Sequence, residues 1–225
     1  MELAIDTSSD AINLALSYQG KIVAELTWHS GQNHTVELLP GLISLLNQAK
    51  INLNDLSAIF IAKGPGSFNG LRVGMSTAKG LAFALNLPLI GISTLEIEAY
   101  PFAYTGLPLC PIHDAGRDEV AVALYRQDGE WRCLQEAHTT TLEALLNQIQ
   151  EQTLFCGEIP PAVIPQLQQV LGRKAIIPEA AARERRASYL STLGWQRFQK
   201  GNYDDLATLQ PLYLRRPPIT QPKQK

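Results

Sequence analysis

An α/β fold in two lobes, each a mixed sheet flanked by helices, is predicted by three observations. Strand patterns with apolar alternation alternate with stretches of helical periodicity along the chain. The order strand, Asp, short polar loop, alternating strand occurs twice, in "LAIDTSSDAINLAL" and in "CPIHDAGRDEVAVAL", which overlay without gaps so that Asp6 falls on Asp114, Leu14 on Val122 and Leu16 on Leu124. With 225 residues, 45% of them hydrophobic, the chain can build a sizeable core in each copy.

"LAID" is a short apolar run closing on Asp6, "INLALSY" alternates, Gln19-Gly20 signals a turn, and "KIVAELTW" alternates again, so the chain opens on a strand and a hairpin. Residues 35–50, "TVELLPGLISLLNQAK", have helical periodicity, with Leu38, Leu39, Leu42, Leu45, Leu46 and Ala49 on one broad side and Pro40 in the first turns, where a missing N–H is tolerated. "SAIFIA" reads as a buried strand feeding a Gly-rich loop, residues 71–86 as a helix, and "LPLIGIS" as a further strand. Near residue 108 the pattern restarts. Its helix has Thr140 and Glu143 at capping-box spacing before Leu142, Leu145, Leu146 and Ile149, and "TLFCGE" corresponds to the strand before the Gly-rich loop. The expected lobes are 1–100 and 101–216, with a helix near 188–200 packing back on the first lobe and a flexible tail at 217–225.

Composition excludes several classes. No apolar run reaches the roughly 20 residues of a membrane span, and "MELAIDTSS" lacks the regions of a signal peptide, so a cytoplasmic protein is expected. Cys110, Cys133 and Cys156 are scattered and form no CxxC pair, which suits buried thiols better than a disulfide framework or zinc site. The net charge of −2 hides an asymmetry: residues 1–172 hold 8 Lys/Arg against 17 Asp/Glu, and residues 173–225 hold 11 against 4. Arg183, Arg185, Arg186, Arg215 and Arg216 form the basic foci, read either as solvated surface or as contact with RNA or an acidic partner.

"KGPGSFNGLRVGMSTAKG", residues 63–80, is the densest signal. No Lys-Ser/Thr follows its last glycine as in a Walker A loop, and Gly64, Gly66 and Gly70 give GxGxxxG rather than GxGxxG. Two readings stay open: a tight strand-to-helix turn with Ser67 as helix cap, or anion or nucleotide contact through Asp6, Lys63, Gly64, Gly66, Ser67 and Arg72. Asp6 and Asp114 could face each other across a metal, or simply cap Asx-turns. No GxSxG elbow, HExxH pair or other catalytic or metal constellation is present, so no catalytic residue and no metal ligand is nominated.

The helix after the loop is apolar on two sides. Leu71, Gly74, Met75, Ala78, Leu81, Ala82 and Leu85 cover one, while Val73, Ser76, Thr77, Gly80, Phe83 and Ala84 make the other small and apolar, with only Arg72 and Lys79 charged. One side can pack on the lobe's own sheet; the other needs the second half of the chain or another subunit. The candidate partner interface is Leu38, Leu42, Leu45, Leu71, Gly74, Met75, Ala78, Leu81, Ala82 and Leu85. Ala78→Arg or Met75→Arg is then expected to break association in a chain that still folds.

The doubled plan of strand, Asp, loop and hairpin is that of actin-like (ASKHA) proteins, built from two ribonuclease-H-like halves. "LAIDTSS", "HTVELLP", "KGPGSFNGLRVGMSTAKGLA", "LPLIGISTLE", "IHDAGRDEVAVALY" and "LQPLYLR" together resemble the TsaB (YeaZ) family over most of the chain. Asn69 stands where that family usually has Thr, and "DAGRDEV" where "DARRGEV" is typical; neither alters the helix faces. The resemblance implies a non-catalytic subunit of the machinery that makes N6-threonylcarbamoyladenosine in tRNA, paired through a four-helix bundle with a catalytic TsaD-type paralogue and joined by a TsaE-type ATPase. It further implies a homodimer when alone, tRNA met through the complex, no membrane, and no cofactor held by this chain itself, with ATP/ADP and metal in the partner subunits. The alternative is a stand-alone actin-like ATPase or small-molecule kinase working through Asp6, Asp114 and the glycine loop.

Overall fold

The computed structural model describes residues 1–214, so Arg215, Arg216 and the expected tail lie outside the described residues. The first lobe is built from β1 (Glu2–Asp6), β2 (Ala11–Tyr18), β3 (Lys21–His29), α1 (His34–Ala49), β4 (Ala58–Ala62), α2 (Phe68–Leu85) and β5 (Leu89–Ile92). Next come α3 (Thr94–Ala99), β6 (Leu109–Gly116), β7 (Glu119–Asp128), β8 (Glu130–Thr141), α4 (Leu142–Gln148), β9 (Thr153–Cys156), α5 (Val163–Leu171), β10 (Ala175–Ile176) and α6 (Ala187–Gln199).

The two five-stranded sheets have the same topology. In the order β3-β2-β1-β4-β5 the hairpin strands run antiparallel and β1, β4 and β5 run parallel; β8-β7-β6-β9-β10 repeats this strand for strand. The overlay of Asp6 on Asp114 therefore reflects a duplicated architecture, with β6 in the role of β1 and β9 in that of β4.

Alternation along the strands decides what each face holds. Leu3, Ile5, Ile59 and Ile61 point to one face of the first sheet, where α1 and α2 cover them with Leu38, Leu42, Leu45, Met75, Ala78 and Ala82. Each Leu, Ile or Met side chain so removed from water contributes roughly 1.5–3 kcal/mol. The opposite face is small: Ala4, Ala15, Ala58 and Ala62 surround Phe60. That flatness lets α6, from the far end of the chain, lie close with Ala187, Leu190 and Leu193, and a Cβ on Gly194 would run into the Phe60 ring. In the second sheet α4 and α5 cover one face through Leu145, Val163 and Leu167, while Leu95 and Ala99 of α3 cover the other. Ile97 of the same short helix joins the α6 cluster.

Some boundaries differ from the sequence reading. α2 starts at Phe68 rather than Leu71, because the Ser67 hydroxyl accepts from Gly70 N at 3.3 Å and caps the helix there. Thr141, the last residue of β8, rather than Thr140 caps α4, its hydroxyl accepting from Ala144 N at 3.2 Å. Cys110 and Cys156 are buried, but Cys133 is exposed on the edge strand β8. No helix among the described residues is long and apolar enough to cross a membrane.

Candidate functional site

The glycines of the loop after β4 are explained by what presses on them. Ser67 N donates to the Ser8 carbonyl at 2.7 Å, and the Thr7 hydroxyl donates to the Gly70 carbonyl at 2.8 Å. A Cβ on Gly66 would collide with the Ser8 backbone, one on Gly70 with the Thr7 carbonyl oxygen, and one on Gly74 with the Thr7 hydroxyl. The loop between β1 and β2 thus lies directly on the N-terminal turns of α2, which only a side-chain-free surface permits. Gly64, at φ +102°, also needs to be glycine on conformational grounds.

Between the lobes opens a cleft of about 1090 Å³, lined among others by Ser8, Gly66, Ser67, His113, Asp114 and Tyr213. The six residues named for anion contact do not converge there. Gly66 and Ser67 line it, but Lys63 borders a different groove with Asp204, Leu209 and Leu212. The Arg72 guanidinium stacks on the Phe68 ring 3.9 Å from its centroid, and Gly64 is packed beneath Leu71 and Leu212. Asp6 and Asp114, the duplicated pair, have opposite environments. Asp114 is exposed and accepts from Gly116 N at 2.7 Å as an Asx-turn, whereas Asp6 is fully buried.

Asp6 belongs to a buried ion cluster. Its Oδ1 accepts from Ser8 N at 2.9 Å and from the Ser8 hydroxyl at 2.5 Å; its Oδ2 has no hydrogen-bond partner among the described residues and lies 3.6 Å from Arg185 Nη1. Arg185 also donates to Ser8 Oγ (2.5 Å), to Glu98 Oε1 (3.0 Å from Nε, 2.8 Å from Nη2) and to Glu158 Oε1 (2.7 Å). Glu98 Oε2 lies 2.6 Å from His113 Nε2. A guanidinium thus already stands among the carboxylates that a divalent cation would need, so these residues do not fit a metal-nucleotide group, and no three His, Cys, Asp or Glu side chains form a metal-holding group among the described residues.

Burial alone would raise the Glu98 carboxyl, but the charges of His113 and Arg185 outweigh it and hold it below its ordinary 4.5. A depressed carboxylate contributes stability that is complete above the unfolded value and is lost as pH falls through the folded one. Glu98→Gln is therefore expected to cost roughly 3–5 kcal/mol at neutral pH, by leaving Arg185 under-compensated. In denaturant titrations at pH 7 and pH 4 the deficit should shrink at the lower pH; a deficit independent of pH would contradict this. The thiols are poor nucleophiles: burial pushes Cys110 up to about 12, while partial burial and the Glu136 carboxylate push Cys133 up to about 11.

Part of the basic block of the last third is engaged by the chain itself, while Arg173, Lys174, Arg186 and Lys200 are exposed. Arg183 donates to the carbonyls of Pro178 and Gly157, Arg186 pairs with Glu25 at 3.6 Å, and Arg197 with Glu96 at 2.5 Å. Together with buried Arg185, these contacts set part of the basic C-terminal segment against acidic groups of the body on which it folds. Arg183 and Arg185 are thus structural groups, while the Arg186 side chain stays 63% exposed beside Glu25.

The proposed partner interface needs the largest correction. Leu38, Leu42, Leu45, Leu71, Gly74, Met75, Ala78 and Ala82 are buried in the lobe's own core, and Leu81 and Leu85 are half-buried. They are the inner side of α1 and α2, facing the sheet, because that is where Ile5, Ile59 and Ile61 need cover. The outer side is exposed among the described residues: Val36 (69% exposed), Leu39 (49%) and Ile43 (55%) follow at helical spacing on α1, and Phe83 (82%) stands on α2 beside exposed Ser76, Gly80 and Ala84. Among the described residues, the second half of the chain covers the opposite face of the sheet through α6 and leaves this surface exposed. The sequence pattern groups Leu39 with Leu38, Leu42, Leu45 and Leu46 on one broad side and sets Phe83 on the second side of the later helix; in the structure Leu39 separates from that stripe and stands exposed with Val36, Ile43 and Phe83.

Comparison with known proteins bears on this geometry. The family model described as TsaD, tRNA N6-adenosine threonylcarbamoyltransferase, matches residues 21–220. A curated relative, the tRNA threonylcarbamoyladenosine biosynthesis protein TsaB of Bacillus subtilis, is 35% identical over 218 residues, 95% of this chain and 93% of the relative. The chain belongs to the TsaB (YeaZ) family. TsaB of Escherichia coli is 40% identical over 97 residues, 43% of this chain and 42% of the relative. The solved structure of YeaZ from Pseudomonas aeruginosa superposes with a TM-score of 0.76 at 26% identity, covering 94% of this chain and 99% of that one. A second Pseudomonas aeruginosa structure, described as similar to peptidase YEAZ, gives 0.79 at 26% identity over 95% and 99%. The two-lobed architecture of paired mixed sheets flanked by helices is thus shared with YeaZ structures across nearly the whole chain.

Proposed function

We propose that the chain is a non-catalytic partner subunit in tRNA N6-threonylcarbamoyladenosine biosynthesis, binding and activating a TsaD-type transferase through the outer face of α1 and α2. The observation that carries this reading is the unpaired apolar stripe of Val36, Leu39, Ile43 and Phe83 on two helices whose inner sides are already saturated by the core. Helices of a lobe in water do not keep such a stripe without a partner to cover it, and small neighbours such as Gly80 and Ala84 allow another helix to approach closely. The same face would pair two copies when the transferase is absent, and a TsaE-type ATPase would join the assembly elsewhere.

The competing reading, a stand-alone ATPase or kinase, is disfavoured by the engagement of Asp6 with Ser8 and Arg185 and by the packing of the glycine loop on Thr7 and Ser8. Reconstitution decides between them. Modification of tRNA by the TsaD- and TsaE-type paralogues should require this chain, and the isolated chain should not turn over ATP. Turnover by the isolated chain, lost in Asp6→Asn, would overturn the proposal.

A further inference from the structure

We propose that Arg185 is a positioning residue for the docking face: its guanidinium ties the second lobe and the returning C-terminal segment to the first turn of α2. The inference rests on the assignment of docking to the outer face of α1 and α2. Arg185 lies between β10 and α6 with its side chain only 4% exposed. Its fork reaches segments that are distant in sequence: Ser8 and Asp6 at the end of β1, Glu98 on α3 and Glu158 after β9. Through Glu98 it also reaches His113 on β6. On the far side of Ser8 the contact continues into α2, since the Ser8 carbonyl accepts from Ser67 N at 2.7 Å and the neighbouring Thr7 hydroxyl donates to the Gly70 carbonyl at 2.8 Å. One residue, Ser8, therefore separates the guanidinium from the cap of the helix that presents Phe83.

The chemistry makes arginine specific here. Asp6, Glu98 and Glu158 would repel one another across the lobe junction without a cation between them, and the planar fork satisfies three directions at once. A lysine ammonium at the same place has one charge point and cannot span Ser8, Glu98 and Glu158 together. Without Arg185, the β1–β2 loop loses its anchor, and the cap of α2 that rests on that loop loosens with it.

The test is hydrogen exchange of the full-length chain, alone, in Arg185→Ala and Arg185→Lys, with and without millimolar methylguanidinium, paired with affinity for the TsaD-type transferase. Amides of residues 6–10 and 66–71 should exchange about 100-fold faster in Arg185→Ala while those of β4 hold. Methylguanidinium, filling the vacated space, should restore protection and affinity together. Should Arg185→Ala not fold, Arg185→Lys carries the test, with the same amides accelerated and no response to methylguanidinium because the lysine occupies the space. Unchanged exchange at 66–71, or uniform acceleration across the chain in both variants, would overturn the proposal. Phe83→Arg separates the two readings. If it abolishes binding while Arg185→Ala changes neither exchange nor affinity, positioning fails and docking stands; if Phe83→Arg itself binds normally, the docking assignment has failed.

Discussion

Phe83→Arg should abolish association with the TsaD-type transferase while leaving the chain as stable as the parent. Phe83 is 82% exposed, so an arginine there keeps its hydration in the free chain and changes stability by no more than about 0.5 kcal/mol. At the centre of a helix-helix interface the same charge must be desolvated without a partner, which costs several kcal/mol and weakens binding by roughly a hundredfold or more. Co-elution and thermal denaturation of the variant read the two effects separately. Met75→Arg and Ala78→Arg, the substitutions that sequence periodicity suggests, should behave differently: both positions are buried, at 5% and 0%, and an arginine there should unfold the lobe. A variant at Met75 or Ala78 that folds normally, or one at Phe83 that still co-elutes, would contradict the assignment of inner and outer sides.

Gly70→Ala should destabilise the chain by about 1–3 kcal/mol, lowering the melting temperature by several degrees. The position is helical, so alanine suits its backbone; the cost is steric, from a methyl group driven into the Thr7 carbonyl oxygen, which is held by β1 and cannot retreat cheaply. Gly80, ten residues on in the same helix, has open space where a Cβ would stand, and Gly80→Ala should raise stability by about 0.4–1 kcal/mol. Two glycine-to-alanine changes of opposite sign in one helix separate packing from conformational freedom as the reason for the glycine-rich sequence. If both stabilised the protein, the close approach of the β1–β2 loop would be wrong.

The sequence and the structure agree where the relevant forces are local. The hairpin at Gln19-Gly20, the Ser67 cap and the duplication of Asp6 in Asp114 are set by periodicity, turn chemistry and short hydrogen bonds, all of which can be read from neighbouring residues. The two-sided character of residues 71–86 was equally legible. Which side the core would take was not, because that depends on Ile5, Ile59 and Ile61 arriving from other strands and on α6 claiming the opposite face from more than a hundred residues away. The Arg185 cluster was invisible for the same reason: Asp6, Glu98, His113 and Glu158 share no spacing, and the fold alone gathers them round one guanidinium. The pairing of Arg185, Arg186 and Arg197 with Glu98, Glu25 and Glu96 was likewise illegible, because sequence counts charge without showing which acidic groups the fold sets beside it.

Hydroxyl-radical footprinting of the chain, free and in complex with the TsaD-type transferase, measures the central claim at the side chains concerned. Diluted to the monomer, so that self-pairing does not cover the face, the free chain should be oxidised at Phe83, Leu39 and Ile43, which the complex shields, while Tyr104 and Val170, 85% and 63% exposed on other surfaces, stay reactive in both. Shielding of Tyr104 or Val170 with Phe83 still reactive would place the partner elsewhere and contradict the account.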